Sequence, residues 1–195
     1  MASDGRELLS RPSLTARLGA ACAAMRYDSL PDRTRQRAKM ILLDTIGCML
    51  SASRPMFPGP RKLAQVAQAE RDDGPCIVVG TDLRASAAPA ALVNGYLGYA
   101  LDSESHHGPA VLHAPAVVIP AAMAAAQQGG CDDGAAFLAA VVLGIDVACR
   151  VSLSIGPNDL YSRGFHPTAV AGSFGAAAAA GSLLRLPAPR VANAL

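Results

Sequence analysis

Three of the chain's four histidines, His106, His107 and His113, fall in one stretch between Asn94 and Pro120, together with the carboxylates Asp102 and Glu104. Only 16% of the residues are charged, so this crowding of titratable groups between apolar flanks marks a place for proton chemistry. The fourth histidine lies in a second short loop, Tyr161-Ser-Arg-Gly-Phe-His-Pro-Thr168, which also opens onto an Ala- and Gly-rich run. The two loops are expected to meet over one pocket. Imidazoles, with an ordinary pKa of about 6.5, are the natural proton carriers near neutral pH.

Three chemistries fit the first loop. Asp102, His106, His107 and His113 supply enough donors for a metal ion, although their spacing matches no standard zinc pattern. They also suit an ordinary polar surface loop, or general acid–base catalysis. In the second loop, His166-Pro167-Thr168 stands at a helix start. There the free N–H groups of the first turn, with Arg163 close by, make a carboxylate site; the plainer reading is a histidine serving as a cap. The chain has no phosphate-binding glycine loop and no nucleophile elbow. Several imidazoles, a carboxylate and an anion-binding corner match proton abstraction beside a carboxylate, followed by elimination, decarboxylation or epimerisation.

The elements that must position these groups read as helices. The chain is 51% hydrophobic with no Trp, and its apolar mass is mostly Ala, Val and Leu, which suits closely packed helices. Residues 1–12 read as a loosely ordered arm, followed by a helical domain over 13–195. Ser13 is placed to cap a helix to about Met25, and Pro31 starts another that dies near Ser51. In that helix Ala38, Ile41, Leu42, Thr45, Ile46 and Met49 form an apolar stripe, and Gly47 is expected to admit a neighbouring helix. A loop over 55–60, a helix over 61–70 and a turn over 71–74 lead to the one strand-like run, Cys76–Val79. Ser86 caps a helix that delivers Asp102 at its C-terminal end, where a carboxylate faces the negative end of the dipole. Later helices run from His113 to about Gln128, bent or restarted at Pro120, from Asp132 or Asp133 to Ile155, from Thr168 to Leu184, and from Pro189 onward. Gly172, Gly175 and the alanines that follow let the helix behind His166 pack tightly.

Composition excludes several function classes. A net charge of +2 with no basic block is no nucleic-acid footprint. Phe165–Leu184 is long enough to span a bilayer, but its polar residues and Ala bulk read as a buried helix, so no membrane role is assigned. Cys22, Cys48, Cys76, Cys131 and Cys149 form no C-x-x-C pair and read as reduced thiols of a cytoplasmic protein.

At these residues the chain resembles the MmgE/PrpD family. Ala38-Lys39 and Leu43-Asp44-Thr45-Ile46-Gly47-Cys48 resemble its early "RAK…LLDTIGC" helix. Ala91 to Asp102 resembles its "A..NG…ALD" helix, and His113-Ala-Pro-Ala-Val-Val-Ile-Pro120 its "HPSA.V.PA" segment. Arg163-Gly-Phe-His-Pro-Thr168 with Gly172-Ser-Phe-Gly175 is the most specific string. The resemblance implies an all-α, multi-helix domain that stops before the family's α/β lid domain. It implies a cofactor-free, metal-free lyase or isomerase acting on di- or tricarboxylates, either as a homodimer or with the lid half as a separate polypeptide. Asp102, His113 and His166 fall on the family's catalytic positions, and His106, His107, Arg163 and Thr168 are placed on the substrate side. Where the family has an acidic run, this chain has Asp102-Ser-Glu-Ser-His-His107, with Ser105 in place of a usual acid. Family members are more than twice as long, so the chain reads as a fragment, weakly active or inactive alone. The rival reading is a non-catalytic helical subunit.

Overall fold

The computed structural model describes residues 12–54, 59, 62–63 and 74–195. All but the last residue of the arm expected over 1–12, and most of the loop, helix and turn expected over 55–74, lie outside these residues. Among the described residues the chain is a helical bundle with one minimal hairpin. Helix α1, Leu14–Ala24, is capped by Ser13, whose Oγ accepts from the Ala16 N–H at 3.1 Å. A 3-10 turn, Tyr27–Ser29, leads to α2, Asp32–Ala52, with Pro31 at its cap. Two-residue strands β1, Cys76–Ile77, and β2, Arg84–Ala85, pair antiparallel. Then come α3, Ala87–Tyr99, α4, Ala114–Gly129, α5, Gly134–Ile155, α6, Pro157–Ser162, α7, Pro167–Leu183, and α8, Ala188–Ala194.

Local chemistry sets the boundaries. Gly130, at φ +65°, ends α4 in the left-handed conformation that glycine adopts without strain. Asp133 then caps α5, its Oδ1 accepting from the N–H groups of Ala135 and Ala136. Ser86 occupies the cap position of α3 but makes no side-chain cap bond. Pro120 does not restart α4; the helix runs through it. The carbonyl that Pro120 leaves without its N–H partner is that of Ala116. It faces α3, where a Cβ on Gly95 would lie 3.4 Å from it.

Helices α4, α5 and α7 form the middle of the bundle. Gly98 of α3 lies by Ala116, so α3 runs antiparallel to α4. Val117 of α4 meets Gly172 of α7, and Leu184 meets Gly129, so α4 and α7 run parallel. Between α5 and α7 the backbones touch: a Cβ on Gly175 would lie 2.5 Å from the Gly144 carbonyl oxygen. Gly172 and Gly175 therefore do what the sequence suggested. Gly47 does not: among the described residues nothing lies within 4 Å of its missing Cβ, because it faces away from the core side of α2 marked by Ala38, Thr45 and Met49. Helix α5 is long and apolar enough by length and composition to cross a membrane, but it packs against α4 and α7 with Ala140, Val141 and Ala148 fully buried.

Candidate functional site

Because α4 and α7 are parallel neighbours, their N-terminal ends lie side by side, and α3, antiparallel to α4, brings its C-terminal end to the same edge. His113 is the N-cap residue of α4 and His166 that of α7. Two helix starts therefore present unpaired N–H groups and positive potential at one place. One hydrogen bond ties them together: the His113 backbone N–H donates to Thr168 Oγ1 at 3.0 Å. The two loops do meet.

The first loop folds around His113. Its Nδ1 lies 2.8 Å from Glu104 Oε1, and its Nε2 lies 3.9 Å from Asp102 Oδ1. The Glu104 side chain is wholly buried, whereas that of Asp102 is 75% exposed. Neither Glu104 oxygen has a hydrogen-bond partner of good angle, and nor does His113 Nδ1. The close approach is therefore an imidazole–carboxylate contact whose angle is too bent for a good hydrogen bond. The Tyr99 ring packs edge-on to His113 at 5.0 Å, and the His106 ring lies 5.5 Å away at a tilt. Burial pushes the Tyr99 phenol up, and the charges of Asp102 and Glu104 add to it, with a further contribution from Tyr161. Tyr99 is thereby held as a neutral phenol beside the imidazole.

His107 plays a different part. It forms an isolated antiparallel bridge with Leu112, and its Nδ1 accepts from the Ala110 N–H at 3.1 Å. Ser152 of α5 fastens the same turn by donating to the Ala110 carbonyl at 2.7 Å. In the second loop, Tyr161 meets His166 edge-on at 5.7 Å. Arg163 and His166 are exposed, and the Arg163 guanidinium makes no hydrogen bond or ion pair among the described residues. It is available to an anion. Asp102, Glu104 and His113 each place a ligand atom within 4.8 Å of the others, a mixed oxygen and nitrogen set able to hold a divalent cation. A hollow of about 520 Å³ lies elsewhere, lined among others by Arg26, Asp133 and Arg185.

A sequence profile of the MmgE/PrpD N-terminal domain matches residues 16–195. The chain belongs to the MmgE/PrpD family. The match spans both helix starts and the histidine loop, so the MmgE/PrpD assignment covers every residue of the site. Among curated relatives, the cis-aconitate decarboxylase-like protein oryM of Aspergillus oryzae is 34% identical over 89% of this chain and 37% of its own length. The cis-aconitate decarboxylase of Aspergillus terreus is 28% identical over 100% of this chain and 40% of its own. The human cis-aconitate decarboxylase is 30% identical over 94% of this chain and 38% of its own. This MmgE/PrpD chain thus spans about two-fifths of the length of these relatives.

Sequence reasoning passed over two residues of this MmgE/PrpD site. Glu104 was read only as one of two loop carboxylates, and Asp44 only as part of the α2 string. Asp44 Oδ2 accepts from both the N–H and the Oγ–H of Ser105, at 3.0 and 2.9 Å. No local pattern announces a contact across 61 residues of chain; the one signal was an acid beside the core stripe of α2.

Proposed function

We propose that this chain is the proton-transfer half of a cofactor-independent carboxylate lyase or isomerase acting on a di- or tricarboxylate. The observation that carries the proposal is the His113 imidazole, set between buried Glu104 and exposed Asp102 where two helix N-termini meet. Glu104 holds Nδ1, which leaves Nε2 as the atom that takes or gives the proton. Arg163, His166 and the Thr168 N–H at the α7 start, the one first-turn N–H there with no bond among the described residues, hold a substrate carboxylate. His106 flanks His113, while His107 and Thr168 keep the two loops in place.

Among the family's reaction types, the named activity of the relatives favours decarboxylation. In that form a carboxylate leaves as carbon dioxide. Its bonding pair moves into a new double bond, and His113, having first taken a solvent proton at Nε2, delivers that proton to the carbon that loses the old one. The relatives' additional length, as the rest of the polypeptide or as a separate chain, closes the site.

The test incubates the chain, alone and with a polypeptide supplying the remaining length of a relative, with cis-aconitate and other di- and tricarboxylates in deuterated water. Carbon dioxide release and deuterium at the carbon beside a carboxylate are followed by NMR. Turnover by the combined protein is expected, falling by about 10²–10⁴-fold in His113→Ala, with Glu104→Gln intermediate. Folded, combined protein that turns over none of these acids would establish the non-catalytic subunit instead.

A further inference from the structure

Glu104 sits between two serines, and α2 grips both of them. Asp44 and Cys48 lie one turn apart on α2, the spacing that puts two side chains on one face of a helix. Asp44 Oδ2 takes both polar hydrogens of Ser105, and Cys48 Sγ lies 3.5 Å from Ser103 Oγ. The next residues on α2, Thr45 and Met49, are fully buried and pack against Gly98 of α3. The grip is therefore anchored in the core. Along the loop, exposure alternates: Ser103 is exposed, Glu104 buried and Ser105 half-buried. Fixing the two serines leaves the Glu104 carboxylate one direction to point, toward His113.

We propose that Asp44 is a positioning residue: by holding Ser105 from α2, it sets the Glu104 carboxylate against His113 Nδ1 and so keeps the ring in the form with its proton on Nδ1 and Nε2 unprotonated. The inference rests on the reading of His113 as the proton carrier. Asp44 touches neither His113 nor the face where a substrate carboxylate would sit. Both of its bonds are charge-assisted, the stronger kind. No other described hydrogen bond reaches the Ser105 amide.

The experiment uses the 195-residue chain labelled with ¹⁵N-histidine, with the tautomers of His113 and His107 read from long-range ¹H–¹⁵N correlations. Wild type is expected to show His113 in a single form protonated at Nδ1. His107, whose Nδ1 is an acceptor, is expected in the opposite form. In Asp44→Ala, His113 should pass to a mixture of both tautomers while His107 and the helical circular dichroism stay unchanged. Asp44→Asn, which keeps an acceptor oxygen for the Ser105 N–H, should restore the single form. Ser105→Ala, which loses only the hydroxyl bond, should fall between. An unchanged His113 signal in Asp44→Ala overturns the proposal. So does a change at His107 as well, since Asp44 would then merely hold the loop folded. Glu104→Leu, which leaves no acceptor beside His113 Nδ1, separates this result from the reading beneath it. If that variant leaves His113 untouched, the Glu104–His113 contact itself is absent in solution and both readings fall.

Discussion

One chemical change, glycine to alanine, should have opposite signs at Gly175 and Gly47. At Gly175 the new methyl would lie 2.5 Å from the Gly144 carbonyl oxygen, 2.9 Å from Ala148 Cβ and 3.0 Å from Val118 Cγ2. Comfortable contact needs about 3.5 Å or more, so α5 and α7 must part by about 1 Å. The nearest obstacle is backbone, which cannot rotate aside. Overpacking of this kind costs about 3 kcal/mol at its upper end, and the better helix propensity of alanine offsets about 1 kcal/mol of it. The net loss is about 2 kcal/mol, or about 4–8 °C in Tm for a domain of this size. At Gly47 no atom of the described residues lies within 4 Å, so only propensity acts, and Gly47→Ala should gain about 1 kcal/mol and about 2–4 °C. Urea unfolding followed by circular dichroism at 222 nm measures both. If Gly175→Ala were neutral, or Gly47→Ala destabilising, the packing of α5 on α7 or the open face of α2 would be wrongly described.

Three further expectations follow from particular contacts. Thr168→Val removes the acceptor for the buried His113 N–H and should cost about 1–3 kcal/mol, whereas Thr168→Ser should cost much less; denaturant midpoints tell them apart. Ser152→Ala leaves the Ala110 carbonyl unpaired, and hydrogen exchange at His107 and Ala110 should quicken before global stability falls. Burial pushes the Cys22 and Cys149 thiols up from an ordinary 9.0, and the charge of Asp146 adds to both. A raised folded value means that the folded state holds the proton more tightly. That contribution is complete below pH 9.0 and is lost as pH rises through the folded values. Stability should therefore decline on the alkaline side, with a shallower slope in Cys149→Ala.

Local rules read most of the fold. Ser13 and the Asp132-Asp133 pair announce their helix starts because caps act within a few residues. A restart at Pro120 and a neighbour at Gly47 fail for one underlying reason. Whether a proline ends a helix, or a glycine admits a neighbour, depends on what stands opposite. Here a glycine-bearing face of α3 stands opposite the Ala116 carbonyl, and none of the described residues stands opposite Gly47. In the site, the histidines and Asp102 were legible from their crowding in a charge-poor chain. The separate parts of Glu104 and Asp102 were not, because burial is decided by α2 and α3 packing against the loop. Asp44 was invisible as a site residue because its partner is 61 residues away.

The parallel placement of α4 and α7 bears on the order of folding. Two parallel helices cannot be joined by a tight turn; α5 must first run back the full length of the bundle. His113 and His166 can become neighbours only after that return is made and both of its faces are packed. Contacts so far apart in sequence form late, because closing the long loop precedes any gain from them. The His113–Thr168 bond thus marks the completion of the bundle. During refolding its appearance should trail helix formation, and two fragments divided in the turn between α4 and α5 should regain it only on reassociation.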